Sequence, residues 1–398
     1  MRRLADRDSL QKTWMIRMLG FYEFFAGGGM ARMGLGPSWH CLFANDIDPK
    51  KTASYRKNFK GAPELIERDV AKLSATELRS IADLVWASFP CQDLSLAGAG
   101  AGLAGDRSGA FWPFWRLINR LVREGRAPKV IVLENVCGTL TSHGGKDFAA
   151  IAEAFVRSGY RFGAVVLDAA RFVPQSRPRL FIIGTLESGR VPGALHNVGP
   201  QTGLHPASLI RAQLALPAKV KRNWLWWQLP YGDQRTSVFA DVIEKCPVDV
   251  AWDTAKETIK LLAQMSPRNL AKVQAAQLKR RKLVGSIYRR TRLDEEGKKI
   301  QRAEIRFDDI AGCLRTPGGG SSRQRILVVE GSDIRSRLLS AREAARLMGV
   351  PDNYILPQRY NDAYHLIGDG VAVPVVRHLS EHLLTPLAMG SAKRKNAA

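Results

Sequence analysis

Three kinds of reactive side chain recur in this chain where a short apolar run gives way to a polar or glycine-rich stretch. Cys91 stands in SFPCQDLSLAG, Glu134 in VLENVCG, and Arg177 and Arg179 in QSRPRLFIIG. A free thiol can be a nucleophile or a small packed residue, and for an isolated cysteine the packed reading is the commoner one. A carboxyl can give or take a proton, and a guanidinium can grip a carbonyl or a carboxylate. Brought together, the three would suit one small planar substrate.

A second group of residues points to a ligand. FYEFFAGGGM runs an apolar segment into Gly27, Gly28 and Gly29. Glycine there permits positive φ and lets a ligand approach the main chain. The spacing fits neither the GxGxxG dinucleotide turn nor the GxxxxGK[ST] phosphate loop, which disfavours hydride and phosphoryl transfer. FANDIDP puts Asp46 at the end of the next strand, where a carboxylate can accept from both hydroxyls of a ribose, with Ile47 against an adenine face. ERDVAKL offers Asp69 and Val70 to an adenine amino group and ring edge. Either acid could instead be a helix N-cap. Three successive strand ends of the right type point to a ligand with adenosine but no pyrophosphate.

The elements that must position these residues are legible from about Leu19 to Thr185. GFYEFFA, CLFAND, ADLVWAS, KVIVLEN, FGAVVLD and RLFIIGT read as short strands buried on both faces, separated by helical or loop segments. That pattern predicts an α/β doubly wound, mostly parallel sheet with right-handed crossovers, whose carboxyl ends gather at one edge. Past Gly184 the character turns to Pro, Gly, Trp and basic residues. Trp224, Trp226 and Trp227 in NWLWWQLPYGD are either core or a base-stacking seam, with core favoured. SAREAARLMGVP predicts a Ser-capped helix with a glycine exit, and HLIGDGVAVPVVRHLSEHLL a final amphipathic helix. A body interrupted by a basic insert follows.

With 45% hydrophobic content over 398 residues the chain can bury a large core. Lacking an apolar run of about 18 residues or a signal-peptide core, it is read as soluble and unsecreted. Five scattered cysteines give neither a disulfide framework nor a zinc ligand set. His378 and His382 share a helix face and read as an exposed surface pair, so no metal is expected. A net charge of +23 and a pI near 10.2 imply a polyanionic partner. From Arg268 to Arg306 there are thirteen Lys and Arg against four Asp and Glu, densest in LKRRKLVGSIYRRTR. That run is either a solvated helix face or, with its interleaved Tyr, Ser and Thr, a surface for phosphates and bases.

In nine ordered segments the chain resembles the DNA cytosine-5 methyltransferases: FFAGGG, NDID, RDV, FPCQDLS, GDRSGAFW, ENV, QSRPR, SRLLSAREAARLMGVP and GDGVAVPVV. The resemblance spans nearly the whole chain. It implies a Rossmann-like methyltransferase domain that uses S-adenosyl-L-methionine, with a smaller basic target-recognition domain. The domains are expected at residues 1–185, 186–333 and 334–398, the last completing the first. Cys91 is then the nucleophile that adds to cytosine carbon 6. Glu134 offsets charge on ring nitrogen 3, Arg179 holds the carbon 2 carbonyl oxygen, and Arg177 braces the site. Cofactor contacts are expected from Phe25, Ala26, Gly27, Gly28, Gly29, Met30, Asp46, Ile47, Asp69, Val70, Pro90, Gly370 and Val371. The target base must be flipped out of the duplex, and LAGAGAGLAGDRSG, with Arg107 and Ser108, reads as the lid that closes over it.

The sequence departs from the family pattern at Ser88 (Gly is frequent), Asp46 (Glu is usual) and Asp369 (Asn is common). The expected partner is double-stranded DNA, for a monomeric cytoplasmic enzyme of bacterial or phage origin that is either the companion of a cognate restriction endonuclease or solitary. RNA (tRNA) cytosine-5 methylation and an inactive DNA-binding relative are the alternatives. The large basic insert argues against the first, and intact Cys91, Glu134 and Arg179 against the second.

Overall fold

The computed structural model describes residues 18–90, 110–232, 235–279, 281–293, 296–314 and 323–390. Cys91 and the expected lid, with Arg107 and Ser108, lie outside them.

Seven strands form the main sheet: β1 (Leu19–Phe24), β2 (Trp39–Asp46), β3 (Leu65–Glu67), β4 (Leu84–Ala87), β5 (Val130–Asn135), β6 (Tyr160–Asp168) and β7 (Pro178–Leu186). Their order is β3-β2-β1-β4-β5-β7-β6. The pleat explains why these runs are apolar throughout. Val130 and Val132 of β5 enter one hydrophobic layer with Phe21, Trp86 and Ile183, whereas Ile131 and Leu133 enter the other with Tyr22, Val85 and Ile182. The second layer is filled from Phe114 and Ile118 of α2 (Phe111–Arg123) and Phe148 and Ile151 of α3 (Lys146–Arg157). Met30 of α1 (Met30–Leu35) and Leu347, Ile367, Val376 and Leu383 from the end of the chain fill the first.

Two sequence expectations change here. RLFIIGT was read with the parallel strands, but β7 pairs antiparallel with both β5 and β6. Only residues 169–177 separate β6 from β7, too few for a parallel crossover, which takes about a dozen or more. The expected single final helix is broken, running Tyr360–Asp369 and then Val373–Leu379. Pro374 in the first turn of the second helix cannot continue the first. The helix Ala341–Leu347 does carry a Ser340 cap closed by Glu343.

The segment after β7 stays with the body. A two-residue ribbon, β8 (His196–Asn197) with β9 (Trp226–Trp227), leads Trp227 into the main core, where its indole N–H donates to the Ile183 carbonyl at 3.1 Å. Trp224, half-buried, bridges to Phe162 of β6 and packs on the second layer, while half-buried Trp226 meets His205 edge-on, so of the three tryptophans Trp227 is the core residue. A second, antiparallel sheet follows: β10 (Leu283–Leu293), β11 (Lys299–Arg306), β12 (Arg325–Glu330) and β13 (Asp333–Leu338), in the order β11-β10-β12-β13. The basic LKRRKLVGSIYRRTR stretch therefore spans a helix end and a strand, not one helix face. His378 is buried, not an exposed surface histidine as the sequence suggested; its ring lies 4.6 Å from that of His382 and its Nε2 3.0 Å from the Pro230 carbonyl oxygen.

Candidate active site

β1 ends in a turn whose geometry requires its glycines. Phe25, Gly27 and Gly29 all have positive φ, at 56°, 55° and 77°. A side chain on Gly29 would collide with Phe59, and one on Gly28 with the Tyr354 hydroxyl, which donates to the Gly28 carbonyl at 2.8 Å. Around a Cβ at Gly27 there is nothing within 4 Å. The turn is thus backed by aromatic residues and open at Gly27.

Asp46 at the tip of β2 anchors this turn. One carboxylate oxygen accepts the Gly27 N–H at 2.7 Å and the other the Asp48 N–H at 2.9 Å. A carboxylate has about four acceptor positions, so room for two hydroxyl donors is left. Burial pushes the Asp46 carboxyl up from its ordinary pKa, against the pull of Lys51. Ile47 beside it is 65% exposed, an apolar surface at the mouth of the turn. Asp69 caps a short turn by accepting the Ala71 N–H at 2.9 Å, while Val70 is buried in the second layer. Phe25 meets Phe114 edge-on. Gly370 abuts Met30, since a Cβ there would lie 2.2 Å from the Met30 sulfur, and Val371 is buried in the first layer. Asp369 pairs at 2.7 Å with Lys51, the same lysine that draws on Asp46.

On the same sheet edge, the end of β5 presents Glu134, 7% exposed, with Arg179 Nε 3.2 Å from its Oε1. Arg179 stands at the start of β7 and reaches this edge because β7 runs antiparallel. Neighbouring Asn135 donates to the Phe89 carbonyl at 3.3 Å and accepts the Val136 N–H at 2.8 Å. This holds the chain that leaves β4 against the end of β5, through Pro90, the last described residue before Cys91.

Arg177 is a brace. Only 2% exposed, it donates to the carbonyls of Gly368 and Gly370, both at 2.7 Å, and of Leu314 at 3.1 Å. Burial lowers its pKa from the ordinary guanidinium value, and Arg179 adds to this. Gln175 locks the same region: its amide donates to the Leu347 carbonyl at 2.8 Å and its oxygen accepts the Leu314 N–H at 3.2 Å.

Two residues at this edge escaped the sequence reading. The Cys313 thiol lies 3.4 Å from Arg177 Nη1 and 3.9 Å from Arg179 Nη2. Burial opposes its ionisation, yet the two guanidiniums outweigh burial and hold the thiol below its ordinary pKa. Nothing in the spacing of the five cysteines marks it. Glu23, 1% exposed within β1, accepts from the Tyr55 hydroxyl at 2.9 Å and the Arg32 N–H at 3.2 Å, and so fixes the start of α1. An acid in the run FYEFF was a readable signal, because a buried strand carries a carboxylate only where donors await it.

Among the described residues no cluster of three or more His, Cys, Asp or Glu could hold a metal ion. The fold is similar to the Entamoeba histolytica methyltransferase EhMeth, with a TM-score of 0.57 at 14% identity over 95% of this chain and all of that one. It is also similar to S. pombe Dnmt2 methyltransferase, with a TM-score of 0.53 at 17% identity over 91% of this chain and 96% of that one. Type II methyltransferase M.BanI of Aneurinibacillus aneurinilyticus is 25% identical over 422 residues, spanning 91% of this chain and 95% of the relative. Type II methyltransferase M.NlaX of Neisseria lactamica is 24% identical over 382 residues, spanning 95% and 100%. The family model described as C-5 cytosine-specific DNA methylase matches residues 19–385, and with a glycine turn, an anchored aspartate and a Glu-Arg pair on one sheet edge, the chain belongs to that family.

Proposed function

We propose that Cys91, Glu134 and Arg179 carry out the DNA cytosine-5 methylation of this family, with Arg177 positioning them. The observation that carries the assignment is the Glu134 to Arg179 pair, on the edge where the chain leaves β4 toward Cys91. S-adenosyl-L-methionine, the methyl donor of the family, supplies an electrophilic sulfonium methyl group. The residues fit it: the turn is open at Gly27, Asp46 keeps acceptor positions for ribose hydroxyls, and Ile47 offers an uncovered apolar face. Asp69, Val70, Met30 and Gly370 complete the set.

In this reading the Cys91 thiolate adds to carbon 6 of an extruded cytosine, which makes carbon 5 nucleophilic. Glu134 hydrogen-bonds ring nitrogen 3 as negative charge develops there. Arg179 turns part of its fork from Glu134 to the carbon 2 oxygen. After methylation at carbon 5, loss of the carbon 5 proton and elimination restore the Cys91 thiolate. The type II relatives support a role beside a restriction endonuclease with the same recognition sequence. We place the enzyme in the cytoplasm as a monomer on duplex DNA; among the described residues no helix is long and apolar enough to cross a membrane.

The test is incubation of methylation-free plasmid and an RNA control with protein and S-adenosyl-L-methionine, followed by bisulfite sequencing. Methylated cytosines in one DNA motif, abolished by Cys91→Ala, are expected. Normal turnover by that variant, or methylation of RNA alone, overturns the assignment.

A further inference from the structure

The second sheet contains an element that the catalytic edge does not use. β12 pairs with β10 only from Leu283 to Ile287, whereas β11 follows β10 out to the Leu293↔Lys299 pair. Ala303 is the last residue on β11 tied to the packed base, through its hydrogen bond to the Gln264 carbonyl. Beyond it, four residue pairs form a two-stranded ribbon about 14 Å long. Arg290, Thr291, Arg292, Leu293, Lys299 and Arg302 on it are exposed.

Directly opposed residues of an antiparallel pair share a face. One face of the ribbon therefore carries Arg290 opposite Arg302 and Arg292 opposite Ile300, continuing at its base into Tyr288 opposite Glu304. Glu304 is taken up by Arg290 at 3.5 Å and Arg292 at 3.2 Å. Arg302 has no acidic partner among the described residues. Like charges directly opposed across strands are destabilising, and an anion laid over the face would relieve this.

The same face is continuous with the catalytic cleft. A Cβ on Gly312 would lie 1.3 Å from the Tyr288 hydroxyl, so Tyr288 rests on the backbone at Gly312. The next residue, Cys313, is the one held by Arg177 and Arg179. The base of the arginine face therefore lies one residue along the chain from the thiol that contacts both guanidiniums.

We infer that this face of the ribbon enters the major groove of the DNA and reads base edges there, with Arg302 and Arg290 as specificity-determining residues. A two-stranded ribbon fits a groove about 12 Å wide, and the arginine fork is the commonest reader of a guanine edge. The inference rests on the reading of the chain as a DNA methyltransferase and names the element that sets its sequence preference.

The test compares wild type, Arg302→Lys and the double variant Arg290→Ala/Arg302→Ala on methylation-free plasmid, with the motif read by bisulfite sequencing. Melting temperature and S-adenosyl-L-methionine binding serve as folding controls. Both variants are expected to accept additional bases at one or more motif positions, with discrimination against single-base changes falling at least about tenfold and cofactor affinity unchanged. Arg302→Lys keeps the charge and loses only the fork, so its effect separates base reading from phosphate attraction. An unaltered motif overturns the inference, whether the overall rate is unchanged, as for a solvated ribbon, or uniformly lowered, as for phosphate contact alone. Wild-type methylation with an unaltered variant motif overturns the ribbon assignment alone. A wild type that methylates no duplex DNA overturns it together with the reading beneath it.

Discussion

Arg179 and Glu134 meet through one ion pair, Nε to Oε1 at 3.2 Å, although they stand on strands that run in opposite directions. The pair keeps an acid and a cation in place in a partly buried cleft, the two groups proposed to share one pyrimidine.

Removing either partner should therefore cost the chemical step more than binding. Glu134→Gln and Arg179→Ala are expected to lower kcat by roughly 10²- to 10⁴-fold, the range for loss of a positioned acid or charge stabiliser. The KM for S-adenosyl-L-methionine should change little. Single-turnover methylation with separate cofactor titration checks this, and a loss confined to KM would contradict the assigned roles.

Asp46 is proposed to hold the other substrate. Asp46→Ala leaves the Gly27 and Asp48 N–H groups without their acceptor and takes away the proposed ribose partner. Charged hydrogen bonds are worth about 1.5–3 kcal/mol, so cofactor affinity should fall roughly 10- to 100-fold. Isothermal titration measures the effect, with DNA affinity in a gel-shift assay expected to hold.

Glu23 links the glycine turn to pH. Burial pushes its carboxyl up to about 7, although the Tyr55 hydroxyl and Arg32 N–H favour the charged form. In the unfolded chain it titrates near 4.5. The folded state thus holds the proton over a range where the unfolded state has lost it. Its contribution to stability is fully present below about 4.5 and is lost as pH rises through about 7. Urea denaturation at several pH values should show this decline in the wild type and a flatter profile in Glu23→Gln.

Arg337 and Glu343 form a fully buried pair at the junction of β13 with the helix Ala341–Leu347, with Arg337 Nη1 2.8 Å from Glu343 Oε2. The Ser340 and Glu244 N–H groups also donate to this carboxylate. Removal of one partner strands a buried charge, so Glu343→Ala should destabilise by about 3–5 kcal/mol in urea denaturation. The double variant with Arg337→Met should lose less than the two single losses added together, because no lone charge remains.

The six apolar runs, the glycine turn, the Ser340 cap and the chemistry-bearing strand ends were legible in the sequence, because apolar continuity and turn chemistry are local properties. Most of the convergence between distant segments was not. QSRPR reads as a strand approach, but only a hairpin too short for a crossover turns β7 over and brings Arg179 to Glu134. Arg177 is an ordinary surface-type residue until folding sets the carbonyls of Gly368 and Gly370, far along the chain, against its guanidinium. Cys313 acquires its environment in the same way, and the basic run becomes a one-sided arginine face only once strand register decides which residues oppose one another. Sequence determined which elements form and which residues sit at their ends. The tertiary structure decided which ends meet, because strand direction and register depend on loop length and on packing between segments that have no local cause to find each other.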